Sequence, residues 1–200
     1  MRETTPFKNK ISADTVATLA ARFAEQLPGF DAVAFSAQAG DGLDALELKA
    51  RLKQVARALR GAWSGPLPTL IDALPAIAAR PPALTGFTVW PLLQVIEDHG
   101  LPARDASLRA MAALTGRWSA EFAIRPFLRA DPTGTLRVLQ DWAQAPDEHL
   151  RRLASEGSRP RLPWGGRLHR FDADPSHTLP LLEQLRSDPA LYVRRSVANH

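Results

Sequence analysis

The sequence contains no cysteine. That excludes a disulfide framework, a thiolate metal site and a cysteine nucleophile together. Tyrosine occurs once, methionine twice, and aromatic residues make up only 7% of the 200 residues. Few aromatic and β-branched side chains, set against abundant alanine, leucine and arginine, favour helix over strand. No run approaches the roughly 18 apolar residues that a membrane-spanning helix needs. The opening MRETTPFKNK lacks the apolar core of a signal peptide, so the expectation is a cytoplasmic protein with no membrane partner. There is no P-loop, no glycine fingerprint following a strand and no GxSxG elbow. His99, His149, His169, His177 and His200 show neither HxH nor HExxH spacing, so no metal site is expected.

What is present is ordinary for a globular chain: 45% apolar and 23% charged residues, enough for one sizeable domain over 1–200. Seventeen prolines punctuate amphipathic stretches. ISADTVATLAARFAEQL puts Val16, Leu19, Ala20, Phe23 and Leu27 on one face, with Ser12 as the N-cap. GLDALELKARLKQVARALRG, residues 42–61, does the same with Leu43, Leu46, Leu52, Val55 and Leu59. Further helices are predicted at about 67–79, 91–99, 104–115, 119–129, 133–144 and 147–156. Nothing alternates apolar and polar residues as a strand does. The fold class is therefore all-α.

An internal repeat refines this. Residues 135–157 (TLRVLQDWAQAPDEHLRRLASEG) align without gaps on 178–200 (TLPLLEQLRSDPALYVRRSVANH), an offset of 43, with six identical positions. Each copy reads as a helix, a proline-bearing turn and a second helix. Helix pairs repeating every ~40–47 residues point to a HEAT-like solenoid of stacked antiparallel pairs, which binds through its concave face. The second copy stops inside its second helix with no capping repeat. The expectation is that the domain continues beyond residue 200 in a longer protein. The 157–177 connection is also longer than a HEAT turn needs, which marks it as functional.

Charge is unevenly distributed. Residues 1–100 balance ten basic against ten acidic side chains, whereas 101–200 hold fifteen against eleven. Within 149–170 six arginines (Arg151, Arg152, Arg159, Arg161, Arg167, Arg170) face one acid, Glu156. Such a block is either a solvated face or the start of a nucleic-acid footprint, and arginine suits bidentate phosphate contacts. Arg151-Arg152 and Arg194-Arg195 recur at equivalent repeat positions. One of each pair can form an inter-repeat ladder with Asp147 or Asp188, leaving the other for phosphate. Glu156 reads as the last-turn residue of its helix before a C′ glycine, Gly157, where a carboxylate opposes the macrodipole. It is either an arginine partner or a site for a cation. Glu121, in a first turn capped by Ser119, can pair with Arg125 four residues on. Pro126 then kinks or ends that helix. Trp164, between Pro163 and Gly165-Gly166, is either an anchor for its loop or an aromatic that stacks or wedges against bases.

WSAEFAIRPFL, LASEGSRPRLPWG and DPALYVRRSVANH resemble the signature segments of the AlkC branch of the HEAT-like-repeat DNA alkylation repair glycosylases. The resemblance runs from about residue 115 to the end and is weaker before it. It implies a DNA glycosylase that excises cationic N-alkylated bases, 3-methyladenine and also 3-methylcytosine, from double-stranded DNA in base excision repair. It implies no cofactor and no metal, a monomer, and an enzyme associated with the nucleoid when acting on DNA. It matches Glu121 and Glu156 to essential carboxylates. Arg152, Arg159, Arg161, Arg194 and Arg195, which lie at or near the presumed groove, are expected to contact DNA phosphates, and Trp164 to engage the lesion. A further family aspartate falls just beyond VANH. The competing reading is a non-catalytic HEAT scaffold that binds nucleic acid or protein through its concave face.

Overall fold

A computed structural model describes residues 6–200, and among these every regular element is helical. The chain divides into two compact units, Met1–Ala110 and Met111–His200. No helix is long and apolar enough to cross a membrane among the described residues.

The first unit holds α1 (Ala13–Gln26), α2 (Ala32–Gly40), α3 (Leu48–Gly61), α4 (Leu67–Ala79), α5 (Trp90–His99) and the start of α6 (Arg104–Leu114). Helix α1 follows its apolar pattern: all five predicted face residues are buried, and Ser12 caps it within a capping box with Thr15. Helix α2 was not predicted. It begins at Asp31, whose side chain accepts from Ala34 N, and it buries Phe35 and Ala39. Phe23, Phe30 and Phe35 then pack in sequence as tilted pairs, at 5.1 and 5.7 Å between ring centroids. The single helix predicted over 42–61 is a 3₁₀ turn, Leu43–Ala45, followed by a break and then α3. The cause is Arg51. It is buried, and its guanidinium donates to the carbonyls of Asp44, Leu46, Lys8 and Ile11 at 2.9–3.2 Å. A continuous helix would have used the Asp44 and Leu46 carbonyls internally.

The second unit contains α7 (Arg125–Ala130), α8 (Pro132–Trp142), α9 (Glu148–Ser158), α10 (His169–Ala173), α11 (Leu179–Leu185) and α12 (Leu191–Ala198). The 43-residue repeat is real and larger than two helices. Helix α9 packs on α8, and α12 on α11, while α9 also contacts α11 and α12, as stacked repeats require. In addition, α10 within the 157–177 connection is the counterpart of α7, so the unit of repetition is a short helix and two longer ones. Ala130-Asp131-Pro132 and Ala173-Asp174-Pro175 correspond at the same offset. Asp131 accepts from Gly134 N and Asp174 from Ser176 N, so each aspartate opens the next helical segment.

Repeated chemistry confirms the register. Arg151 donates to the carbonyls of Ala145 and Pro146 at 2.9 and 2.8 Å. Arg194, 43 residues on, donates to those of Asp188 and Pro189 at 2.5 and 2.9 Å. Arg151 also grips Asp188 with two bonds of 2.7 and 3.1 Å, which is the inter-repeat ladder. Asp147 instead accepts from His149 N and caps α9.

Two local expectations are overturned. Residues 121–124 form a turn, and the helix starts at Arg125 with Pro126 in its first turn, where a proline is welcome. Ser119 is therefore not a helix cap. Gly157 is not a C′ residue either, because α9 continues through it to Ser158. It is glycine for want of space: a Cβ there would lie 2.5 Å from Ile124 Cγ2.

Candidate active site

The turn before α7 and the C-terminal half of α9 bring Glu121 and Glu156 to one arginine. Arg152 donates through Nη1 to Glu121 Oε2 at 2.5 Å and to Ser119 Oγ at 2.8 Å. Its Nη2 lies 3.4 Å from Glu156 Oε1. Ser119 Oγ donates in turn to Glu121 Oε2 at 2.9 Å. The close α9–Ile124 approach that Gly157 permits is what sets these two segments side by side.

Glu156 is buried, only 5% exposed. Beyond Arg152, its Oε1 receives Arg159 Nη1 at 2.6 Å and its Oε2 receives Ser196 Oγ at 2.6 Å. Ser155 Oγ donates to Ser196 Oγ at 2.5 Å. The carboxylate is thus held from α9 itself, from the loop behind it and from α12. Burying a charge this deeply is tolerable only with such partners. Arg159 Nε, however, is buried with no acceptor, so this cluster is not fully satisfied as it stands. Beside it His200 is neutral: burial, then nearby Arg159, pushes its pKa down to about 4. Its Nε2 shares a 3.3 Å hydrogen bond with Ser158 Oγ.

The Arg152 guanidinium also lies 5.1 Å from the centroid of the Tyr192 ring, a cation–π contact. Tyr192, His149, Trp118, Phe122 and Glu121 line a cavity of about 350 Å³. His149 meets Tyr192 edge-on at 5.7 Å between centroids. The result is an open concavity with an aromatic wall and carboxylate and guanidinium groups at its edge.

The remaining predicted contacts are distributed around this centre. Arg161 is exposed and bonded to Asp172 at 2.6 Å, where it holds that carboxyl below its ordinary range. Arg194 is engaged with its own turn carbonyls, and Arg195 is exposed. Trp164 is 67% exposed and has φ 64°, the one described non-glycine residue with positive φ. A bulky side chain in that region is strained, and such strain concentrates at functional loops.

The loop owes its shape to a residue read from sequence as a partner for Glu121. Arg125 is 1% exposed. Its guanidinium donates to the carbonyls of Gly157, Arg159, Pro160 and, twice, Gly166, at 2.5–3.3 Å. The Gly165-Gly166 pair lets the loop backbone pass close to two guanidiniums. A Cβ at Gly165 would come 3.2 Å from Arg125 Nε, and one at Gly166 would come 2.4 Å from Arg129 Nη2. Ser196 and Arg125 carried no sequence signal for these roles. Tyr192 carried a faint one, as the only tyrosine.

No family model matches this chain. The solved structure of the alkylpurine DNA glycosylase AlkC from Pseudomonas fluorescens, bound to DNA containing an abasic site analogue, superimposes with a TM-score of 0.90 and 38% identity over 99% of this chain. Over nearly all of its length this chain is similar to AlkC. The uncharacterised protein YhaZ of Bacillus subtilis (strain 168) is 42% identical over 130 residues, which is 65% of the present chain. This chain spans 55% of the length of the Pseudomonas glycosylase and 36% of YhaZ.

Proposed function

We propose that this chain carries the catalytic helical-repeat part of a DNA glycosylase that excises cationic N-alkylated bases, chiefly 3-methyladenine and also 3-methylcytosine, from double-stranded DNA. The observation that supports it is the pair of carboxylates, Glu121 and Glu156, gathered on Arg152 beside an aromatic cavity. An arrangement this costly to bury is not one that a passive scaffold requires. The likeness to a glycosylase bound to abasic DNA points the same way.

The chemistry asks little of a general acid. A base alkylated to a cation leaves as a neutral molecule, so no proton need be delivered to it. The barrier that remains is positive charge growing on the deoxyribose as the glycosidic bond breaks. Carboxylates fixed beforehand in a partly dehydrated site stabilise that charge, and one of them orients the attacking water. Glu121, more accessible than Glu156, is the group for the sugar and its water. Glu156, anchored by Ser196 and Arg159, is the fixed negative charge behind it. Arg152 holds both carboxylates in register, and an incoming cationic nucleotide competes with it for them. Arg159, Arg161, Arg194 and Arg195 contribute positive field for the DNA backbone, and Trp164 stacks against the duplex at the lesion.

The test is release of free methylated base from methylated duplex DNA by the intact protein. Glu121→Gln and Glu156→Gln should each slow single-turnover release by about ten- to a thousand-fold, while DNA affinity holds or rises because a negative charge has gone. A protein that binds DNA in a salt-sensitive manner but releases no base is the scaffold instead.

A further inference from the structure

The second unit has another cationic concavity, of about 420 Å³, formed by the end of α7 and the segment leading into α10. Arg129, Arg167, His169 and Arg170 surround it over an apolar floor that includes Leu168 and Phe171, and no carboxylate lines it. None of these four was assigned a role by the resemblance or by the cluster around Glu156.

How each cation is held argues for a built site. Arg129 stands one turn after Arg125 on α7, and both reach across the loop backbone at the double glycine. A Cβ built on Gly166 would come 2.4 Å from Arg129 Nη2, so the guanidinium lies beside this glycine. Arg167 is tied by Nη2 to Asp172, and Arg161 is bonded to that same carboxylate. Two guanidiniums on one acid leave an excess positive charge. Arg170 is braced through Nε against His177 Nε2 at 3.4 Å. Arg170 feels Asp174 only at longer range, where it helps to hold that carboxyl below its ordinary range after the hydrogen bonds from Ser176 and the charge of His177. The other acid adjoining α7, Asp131, is occupied at the start of α8. The acids nearest these three arginines are already engaged, Asp172 by Arg161 and Arg167 and Asp174 by the backbone of Ser176 and by His177 at 3.6 Å, so the arginines carry an excess positive charge that an anion relieves. Planar guanidiniums at several angles match the tetrahedral oxygens of a phosphate.

We propose that this pocket grips a phosphodiester of the DNA backbone, through Arg129, Arg167 and Arg170, at a point separate from the nucleotide undergoing excision. The inference rests on the DNA-binding part of the proposed function. A backbone contact made here leaves the chemistry at Glu121 and Glu156 untouched and adds to affinity for any sequence.

The experiment measures log K against log salt for the intact protein on undamaged duplex, by fluorescence anisotropy, with Arg170→Gln, Arg129→Gln/Arg170→Gln and Arg170→Lys. Neutralising a true phosphate ligand lowers the slope by about one. The double variant should therefore lose about one to two, the lysine variant should keep most of the parent slope, and single-turnover base release at saturating protein should change by less than about twofold. Arg170 is exposed, so its substitution does not depend on the loop surviving the loss of Arg129. Parent slopes in both glutamine variants overturn the proposal. So does a phosphate-induced thermal shift that the double variant loses while its DNA slope stays unchanged, because the ligand is then a small free anion. Failure of the parent to release base counts against the glycosylase reading alone, since the slopes are read without it.

Discussion

Arg125→Met is the perturbation that tests most directly how the site is built. The methionine fills much of the same buried volume but offers no donor. Five N–H···O bonds from one guanidinium to the Gly157, Arg159, Pro160 and Gly166 carbonyls disappear. A hydrogen bond from a charged donor contributes about 1.5–3 kcal/mol, and even two at the low end come to about 3 kcal/mol. The five do not add, because the loop will detach before all the carbonyls are left dry, so ~3 kcal/mol is a working figure for opening the 157–168 segment. That corresponds to roughly a hundredfold rise in the open population. Trypsin reports it, since Arg161, Arg167 and Arg170 are each followed by a cleavable bond and cleavage tracks the open fraction when closing is fast. Base release should fall as well, because Arg159 leaves Glu156 when its backbone is no longer held. Arg125→Lys should recover only part of both, one ammonium being unable to serve four carbonyls on two sides. Tryptic cleavage and base release both at the parent rate in Arg125→Met would refute the view that this guanidinium organises the loop.

Gly157→Ala should destabilise the second unit by about 1–3 kcal/mol, read as a lower denaturation midpoint, because the new methyl collides with Ile124; an unchanged midpoint would mean that α9 can shift freely. The Asp188 carboxyl is held below its ordinary range chiefly by its hydrogen bonds from Arg151, so this pair stabilises the folded chain above the unfolded aspartate pKa of about 3.9. That contribution is lost as pH falls through the lower folded value. Arg151→Met should therefore lower stability at neutral pH and flatten the acid branch below about pH 4, which urea titrations at several pH values would show. Trp164→Ala should weaken binding to lesion-containing duplex more than it slows single-turnover release; equal loss in both would move Trp164 into the chemical step.

Much of the architecture could be read from the chain before any coordinates. Apolar spacing located α1, α4, α5 and α6 to within a residue or two, and a conserved offset of 43 revealed stacked repeats, because both are local or translational patterns. The partner of Arg151 was legible as one of two acids, Asp147 and Asp188, that lie just before the second helix of each copy, although the two do not occupy equivalent repeat positions. Helix α2, the break before α3 and the continuation of α9 through Gly157 were not. Each depends on something distant in sequence, respectively a phenylalanine cluster, the carbonyls gathered by Arg51 and the side chain of Ile124. The arginines show the division most clearly. As a residue type they announce positive charge and suit phosphate, and nothing local distinguishes one that faces solvent from one turned inward. Only the packed fold sent Arg22, Arg51 and Arg125 to buried carbonyls and Arg152 to two carboxylates, since a guanidinium goes where the backbone leaves acceptors unpaired, and that is decided by how the helices meet.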